Sequence, residues 1–251
     1  MTPWYQIRAS TSDVVDLAIT GDIDASTAPA FLRSLPSTAR TIRLYVASLG
    51  GDAAAALQIA QVLKGHPARV EVTLGPIAAS AASLPPCCAN HVTVASDTVV
   101  MIHAPRLVPN DKTPLTARRL RDAAGELGRV SNRMADVYAW RLKGGRAAAA
   151  KLVDDEQGVW LDARECISSG LADAIRAPTA TKITAHFNPA DLARLGQPPA
   201  RFRDRIAALA RSATAPGVGV LDATKIYEHR NRPGLSILEI YDAFNRRGAT
   251  R

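Results

Sequence analysis

Apolar and polar positions alternate in several short runs in the first hundred or so residues. The clearest runs are DVVDLAI at 13–19, TIRLYVA at 41–47 and RVEVTL at 69–74, and two more follow at 91–96 and 98–105. Alternation with period two in segments rich in Val, Ile and Thr is typical of half-buried strands. The pattern therefore predicts five strands in this part of the chain.

The segments between these runs predict helices and turns. DASTAPAFLRSL predicts a short helix with Ser26 or Thr27 as its cap. A second, apolar helix follows a turn at Gly50 and Gly51, and GPIAASAASLPP predicts a turn and a helix of small residues. Strands and helices that alternate along the chain favour an α/β fold with a mostly parallel sheet flanked by helices.

The longest helical pattern covers residues 114–142. Its apolar stripe repeats every seven residues, and the other faces of the predicted helix are charged. Such a stripe suits a helix packed on its own domain and equally a protruding helix used in assembly. Residues 147–175 then predict a helix, a short strand around VWLDA and a further short helix.

The composition changes after residue 177. Residues 1–177 form the predicted core domain, and residues 178–251 form a basic, partly helical C-terminal extension interrupted by Pro and Gly. Within it, Phe202, Ile206 and Leu209 have helical spacing, and SILEIYDAFNRRG predicts a last helix. The extension is either a mobile tail that docks on another protein or a helical segment packed on the core.

Composition and charge exclude several classes of protein. Hydrophobic residues make up 47% and charged residues 22%, which is usual for a packed globular chain and excludes disorder as the main state. Three cysteines form neither a disulfide framework nor a zinc motif, so a reducing compartment is expected. No targeting segment or membrane-spanning run is expected, which favours a cytoplasmic protein. The net charge of +8 is scattered, which argues against nucleic-acid binding as the primary function.

Three features carry the candidate chemistry. These are the Gly50–Gly51 turn, Ser80 among small residues, and His103 at the end of a predicted strand. A serine hydroxyl becomes a good nucleophile when a base such as histidine takes its proton. The oxyanion that forms then needs preorganised backbone N–H donors, and glycines let the backbone come close to a substrate. Each feature is weak alone, and only their combination predicts hydrolytic chemistry.

Residues of about 17–175 resemble the Clp protease proteolytic subunit, and most closely its phage relatives, the head maturation (prohead) proteases. The matching segments are GDIDASTAPAFL, YVASLGGDAAAALQIAQVL, GPIAASAAS, VVMIHAP and WLDARECISSGLADAI. They occur in the family's order and at about its spacing. The resemblance implies the ClpP/crotonase-like fold, with repeated β-β-α units, and a serine-type endopeptidase without a cofactor or metal.

The resemblance also implies roles for single residues. Ser80 is the expected nucleophile and His103 the general base, while the N–H groups of Gly51 and Ala81 are the expected oxyanion donors. Ser83 also lies in the motif, but the register gives the role to Ser80. The family's usual proline in the glycine turn is Leu49 here.

The third member of the triad does not follow from the motif. Strict register places Gly158 where the family has its acid, two residues before Trp160. A shift in this loop would bring Asp155 or Glu156 to the imidazole, and both are therefore candidates. The alternative is that these carboxylates only end a helix and face solvent.

Several functions are compatible with this pattern. The first is a peptidase that processes capsid or scaffold proteins in phage head maturation, in the host cytoplasm or the procapsid. The others are a housekeeping Clp-type subunit that works with an ATPase, a catalytically silent assembly protein, and an acyl-CoA enzyme of the crotonase type. The resemblance implies a homo-oligomeric ring. The sequence leaves open the ring size, the cleavage specificity, the natural substrate and the phage or bacterial origin.

Overall fold

A computed structural model describes residues 5–10, 13–26, 28–107, 116–177, 192 and 194–213. Eight strands form one mixed sheet in this part of the chain. They are β1 (Tyr5–Ser10), β2 (Val14–Ile19), β3 (Thr41–Ser48), β4 (Arg69–Ala79), β5 (His91–Ala95), β6 (Val99–Ile102), β7 (Val159–Leu161) and β8 (Ala174–Arg176).

The centre of the sheet is parallel. The strand order is β1-β2-β3-β4-β5-β8, and β2 to β5 and β8 pair in parallel along this path. β4 also pairs in parallel with β6, which carries β7 in antiparallel pairing, and β1 is antiparallel to β2. The predicted α/β fold with a mostly parallel sheet is therefore confirmed.

Six α-helices and two short 3₁₀ turns accompany the sheet in the described ranges. The helices are α1 (Ala28–Arg33), α2 (Ala53–Gly65), α3 (Ala117–Ala139), α4 (Gly145–Val153), α5 (Ala163–Ser169) and α6 (Ala200–Ala213). The Asp52 side chain caps α2 by accepting from the N–H of Ala55. The Thr116 side chain caps α3 by accepting from the N–H of Arg119. None of the described helices is long and apolar enough to cross a membrane.

The two faces of the sheet belong to two apolar clusters. On β6, Val100 and Ile102 join the main core, whereas Val99 and Met101 point to a second cluster. This follows from the alternation of side chains along a strand. The main core contains the buried face of α2. The second cluster contains Trp160 and residues of the C-terminal segment, which is the described part of the extension at 192 and 194–213.

The C-terminal segment packs on this second cluster. Phe202 of α6 is buried, and its ring lies 6.2 Å from that of Trp160. Leu192 and Leu195 are buried in the same cluster. The predicted helix around Phe202 is confirmed. Residues 194–213 pack on the core, as in the second of the two alternatives given for the extension. The division into two domains stays a prediction, and the predicted linker and last helix lie outside the described residues.

Two local predictions differ from the structure. The segment after Gly75 was predicted as a turn and a helix, but β4 continues through it to Ala79. The strand continues because it changes partner, from β5 at Glu71–Leu74 to β6 at Ile77–Ala79. Only Ser80–Ser83 then form a 3₁₀ turn. The strand at Tyr5–Ser10 was not predicted.

Candidate active site

The carboxyl ends of β3, β4 and β6 bring the three candidate features together. The glycine turn follows β3, Ser80 follows β4 directly, and His103 follows β6. Neighbouring strands that run in parallel end at the same edge of the sheet, so residues far apart in sequence meet there. This arrangement joins Ser80 and His103, whose Oγ and Nε2 atoms lie 2.7 Å apart.

Ser80 has a left-handed backbone conformation. Its φ of 54° makes it the one non-glycine residue with positive φ in the described part of the chain. This conformation is costly for a residue with a Cβ and is concentrated at functional sites. It makes a sharp turn between β4 and the 3₁₀ turn, which presents the side chain at the end of the strand.

Ser83 and Tyr138 support this turn. The buried Ser83 hydroxyl donates to the Ser80 carbonyl oxygen at 2.6 Å and lies 2.6 Å from the Tyr138 hydroxyl. Since the Ser83 proton is used in the first bond, Tyr138 is the donor in the second. Burial raises the pKa of Tyr138, which keeps the phenol protonated as this bond needs. Ser83 is therefore occupied in holding the turn and is not free to react.

The glycine turn lies against Ser80 and leaves one N–H unused. Ser48 fixes the turn, since its hydroxyl donates to the Gly21 carbonyl and accepts from the N–H of Gly50. Ile23 pairs with the same turn through the Gly50 carbonyl and the N–H of Asp52. Within the described residues, these bonds leave the N–H of Gly51 without a partner.

The Ala81 N–H is close to this turn. It lies in the first turn of the 3₁₀ segment, where N–H groups have no partner within the helix. A methyl group at Gly50 would lie 2.9 Å from the Ala81 nitrogen and 2.8 Å from the Ala79 carbonyl oxygen, so Gly50 is needed for this close approach. Two N–H groups beside a nucleophile can together stabilise an oxyanion.

His103 is almost buried and has an unusual electrostatic environment. It is 9% exposed. Burial, together with the Arg106 guanidinium, lowers the pKa of His103 to about 4, against the weaker opposite effect of the Ala104 backbone. The imidazole is therefore neutral at pH 7 and can accept the Ser80 proton at Nε2.

No described carboxylate bonds to the other ring nitrogen. When Nε2 accepts from Ser80, Nδ1 carries a proton. This Nδ1 is buried and has no hydrogen-bond partner among the residues that the structure describes. In a Ser-His-acid site a carboxylate occupies this position.

The structure brings neither Asp155 nor Glu156 into a hydrogen bond with His103. The Asp155 carboxylate accepts from the N–H groups of Gln157 and Gly158, each at 2.9 Å, and its carbonyl accepts from Ala104. Glu156 is exposed, and its backbone carbonyl accepts from Arg106 at 2.7 Å. These residues shape the loop beside His103.

Arg194 of the C-terminal segment connects the two sides of the site. Its carbonyl accepts from Arg106, three residues after His103, and its guanidinium pairs with the Asp22 carboxylate at 2.8 Å. Asp22 precedes Ile23, which pairs with the glycine turn. Sequence reasoning missed this contact, as it missed Ser48 and Tyr138. Only the Ser48 hydroxyl at the end of a strand gave a local signal.

The cysteines lie outside this chemistry. Cys87, Cys88 and Cys166 are buried and unpaired. Burial raises the pKa of Cys88 and of Cys166 to about 12 and also raises that of Cys87, which leaves protonated, unreactive thiols. The described residues contain no group of three or more His, Cys, Asp and Glu side chains that could hold a metal ion.

Comparisons with known proteins show the family and the fold of this chain. The family model described as Clp protease matches residues 3–179, which is more than half of the chain. The chain belongs to the Clp protease family. Membership in this family implies a serine-type peptidase. Comparison with curated protein sequences found no significant match.

Solved structures show the same fold. A mutant of ClpP1 from Listeria monocytogenes superposes with a TM-score of 0.54 and is 22% identical. The alignment covers 66% of this chain and 92% of that chain. At this identity the likeness shows the Clp protease fold alone. The part of the chain after residue 179 lies outside the family match.

Proposed function

We propose that this Clp protease family member is a serine endopeptidase in which Ser80 is the nucleophile and His103 the general base. The observation that carries the proposal is the 2.7 Å contact between the Ser80 hydroxyl and Nε2 of a neutral imidazole, at a residue with left-handed φ. A serine with an adjacent base is the general requirement for nucleophilic catalysis by a hydroxyl.

The reaction follows from these groups. Ser80 Oγ attacks the peptide carbonyl carbon as its proton moves to His103 Nε2. The N–H groups of Gly51 and Ala81 donate to the oxyanion. The imidazolium then gives its proton to the leaving amine, which leaves an acyl-enzyme on Ser80. A water molecule, deprotonated by the same imidazole, releases the acid product and restores the serine.

The proposed biological role is the processing of capsid or scaffold proteins in phage head maturation. The sequence motifs most closely resemble the phage relatives, and a C-terminal segment beyond the family match packs beside the site through Arg194 and Phe202. A housekeeping Clp-type subunit that works with an ATPase is the second candidate. The processing peptidase and the Clp-type subunit differ in whether they need an ATPase. Hydrolysis of an unfolded protein by the purified chain alone would favour the processing role.

A catalytically silent assembly protein is the third candidate. The unpartnered Nδ1 of His103 is the observation that favours it. Reaction with a fluorophosphonate probe tests the proposal against it. We expect a stoichiometric adduct, which peptide mapping assigns to Ser80. A folded protein that forms no adduct and cleaves no peptide would show that this candidate is correct.

The pH dependence of hydrolysis should reflect the low pKa of His103. A general base works only when unprotonated, so kcat/KM rises as the pH increases through its pKa in the free enzyme. We expect this rise near pH 4, well below the ordinary histidine value of 6.5, and a plateau through neutral pH. Initial rates of peptide hydrolysis between pH 3 and pH 8, in a range where the protein stays folded, measure it.

Arg106→Gln is the matched variant for this profile. It removes the positive charge beside the imidazole and retains an N–H donor for the carbonyls of Glu156 and Arg194. We therefore expect the acidic limb to move to higher pH, since the imidazolium is then less disfavoured. A wild-type limb at pH 6.5 or above would contradict the assigned environment of His103.

We also propose that the chain works as a homo-oligomeric ring with α3 in a subunit contact. The buried residues of α3 all lie near its C-terminal end, from Met134 to Tyr138, whereas Leu120 in its first part is 53% exposed. A partner copy can cover the exposed part of the stripe. Enclosure in a ring also keeps a peptidase away from other proteins.

Light scattering of Leu120→Lys tests this contact. We expect the wild-type chain to be oligomeric and the variant to shift to smaller species. Asp122→Lys is the control, because residue 122 lies about 200° around the helix from residue 120. A wild-type monomer at high concentration, or equal shifts in both variants, would count against α3 as the contact.

A further inference from the structure

We propose that position 158 is the place of the third catalytic group, that it carries no acid in this protein, and that the enzyme works with a Ser80–His103 dyad which a carboxylate at 158 would complete. The inference rests on the proposed function of Ser80 and His103. It concerns the side of the imidazole that faces away from Ser80.

The register of the sheet places residue 158 opposite His103. β6 and β7 pair antiparallel, with Val100 opposite Leu161, Met101 opposite Trp160 and Ile102 opposite Val159. The next step along this ladder sets Gly158 against His103. Side chains directly opposite each other on antiparallel strands are neighbours on the same face.

The space around Gly158 agrees with this register. A Cβ at position 158 would lie 3.4 Å from the Cβ of His103, which is ordinary van der Waals contact. It would also lie 2.9 Å from Met101 Cε and 3.4 Å from Met101 Sδ. The end of a flexible methionine side chain therefore occupies part of the space that a carboxylate needs, and Met101 can move away from it.

The nearby carboxylates do not take this role. The Asp155 carboxylate accepts two N–H groups of its own loop, one of them the N–H of Gly158 itself, and Glu156 is exposed. Within the described residues, no carboxylate bonds to the Nδ1 of His103. The Ala104 backbone, whose hydrogen bond raises the pKa of His103, is neutral and brings no counter-charge. The loop with Asp155 and Glu156 therefore lies beside the imidazole, but neither carboxylate bonds to it.

The dyad has a chemical consequence. His103 becomes positively charged in the transition state as it takes the Ser80 proton, and a carboxylate at Nδ1 would stabilise that charge and fix the ring tautomer. In its absence burial and Arg106 oppose the charge. The wild-type site is therefore slow, and its imidazole is held by packing and by Ser80.

Gly158→Asp tests the proposal, with Gly158→Asn as the matched control. Both side chains have the same shape and carry the same strain at a φ of +88°, and Asp and Asn tolerate this region better than other residues. Only Asp brings a charge. Each substitution is also made with Met101→Ala, which removes the methionine atoms nearest to the new side chain.

The first readout is the pKa of His103 by NMR titration, assigned with His103→Gln. We expect a rise of roughly 1–3 units in the Asp variants and little change in the Asn variants, because an adjacent opposite charge favours the imidazolium. The second readout is kcat at pH 7, which we expect to rise about tenfold or more with Asp only. Equal His103 pKa values in folded Asp and Asn variants would overturn the proposal.

A further measurement covers the case in which the Asp variants do not fold. Met101→Ala removes the methionine atoms that lie next to position 158 beside His103, and formate serves as the probe for the space that this opens. Titration with formate should raise the His103 pKa and the rate in a saturable way, with no such effect in the wild-type protein. A folded Met101→Ala protein that shows no response would then overturn the proposal.

Asp155→Asn and Glu156→Gln exclude the alternative acids. Neither should change the His103 pKa, and a large fall in that pKa with either variant would identify the residue as the acid and overturn the proposal. The NMR titration needs no activity, so it also separates this inference from the proposed function. Absence of fluorophosphonate labelling and hydrolysis would refute the peptidase while the His103 pKa still reports on position 158.

Discussion

Replacement of Ser80 by alanine is expected to lower kcat for peptide hydrolysis by roughly 10⁴-fold or more, to the level of oxyanion stabilisation and binding alone. The reason is that the hydroxyl of Ser83, which lies in the same motif, cannot take its place. Ser80 Oγ is 2.7 Å from His103 Nε2, whereas the Ser83 hydroxyl, in the same 3₁₀ turn, is bound to the Ser80 carbonyl and to Tyr138. Fluorophosphonate labelling should disappear together with hydrolysis.

Ser83→Ala is the matched control. It removes a hydroxyl from the same turn and leaves the buried Tyr138 hydroxyl without its acceptor, which costs about 1–3 kcal/mol of folding free energy. We expect a lower thermal stability and a modest loss of rate, with labelling still at Ser80. If Ser80→Ala keeps wild-type hydrolysis, or Ser83→Ala abolishes labelling in a folded protein, the assignment of the nucleophile is wrong.

The second large effect is expected for Gly51→Ala. A methyl group there would overlap the Ile23 carbonyl oxygen and lie 2.8 Å from the Ile23 nitrogen, both backbone atoms of the paired segment. The backbone at φ +133° must then shift and carry the Gly51 N–H away from the oxyanion position. Loss of one such donor lowers kcat by about 10²–10³-fold. The measurement is kcat and KM separately, and we expect the loss mainly in kcat.

Gly145→Ala separates backbone strain from loss of the donor. Gly145 also has a positive φ, of +57°, but no atom would lie within 4 Å of an added Cβ, and the residue begins α4 away from the site. We expect a small loss of stability, about 1–2 kcal/mol, and an unchanged kcat. A folded Gly51→Ala protein with the kcat of Gly145→Ala would remove Gly51 from the oxyanion site.

The predictions from sequence succeeded where the signal was local. The strands at 14–19 and 41–48 and the helix at 53–65 follow from apolar periodicity and from Gly65 and Pro67 as end signals. They failed at 75–79, because periodicity describes one segment at a time. Whether a strand continues past Gly75 and Pro76 depends on β6, which lies about twenty residues later and supplies its second partner.

The same distinction applies to the site. Residue types singled out Ser80, His103 and the Gly50–Gly51 turn, and the resemblance to the Clp protease family implied the roles of Ser80, His103, Gly51 and Ala81. The roles of Ser83 and Tyr138 could not be predicted, because their bond joins residues 55 apart in sequence. The contact of Arg194 with Asp22 joins residues 172 apart, and no local pattern reports it.

The sequence by itself determined the family, the order of the elements and the candidates for the nucleophile and base. These depend on which residue types follow one another, and a serine among alanines or a histidine after an apolar strand is visible in the chain. Only the tertiary structure decided what lies behind the imidazole. In the sequence, strict register placed Gly158 at the acid position, and Asp155 and Glu156 were the alternatives. In the structure, the pairing of β6 with β7 places Gly158 opposite His103. The Asp155 carboxylate accepts hydrogen bonds from its own loop instead. The physical reason is that a hydrogen bond requires an acceptor at a defined distance and angle, which depends on how two strands pair rather than on the residues of either strand alone.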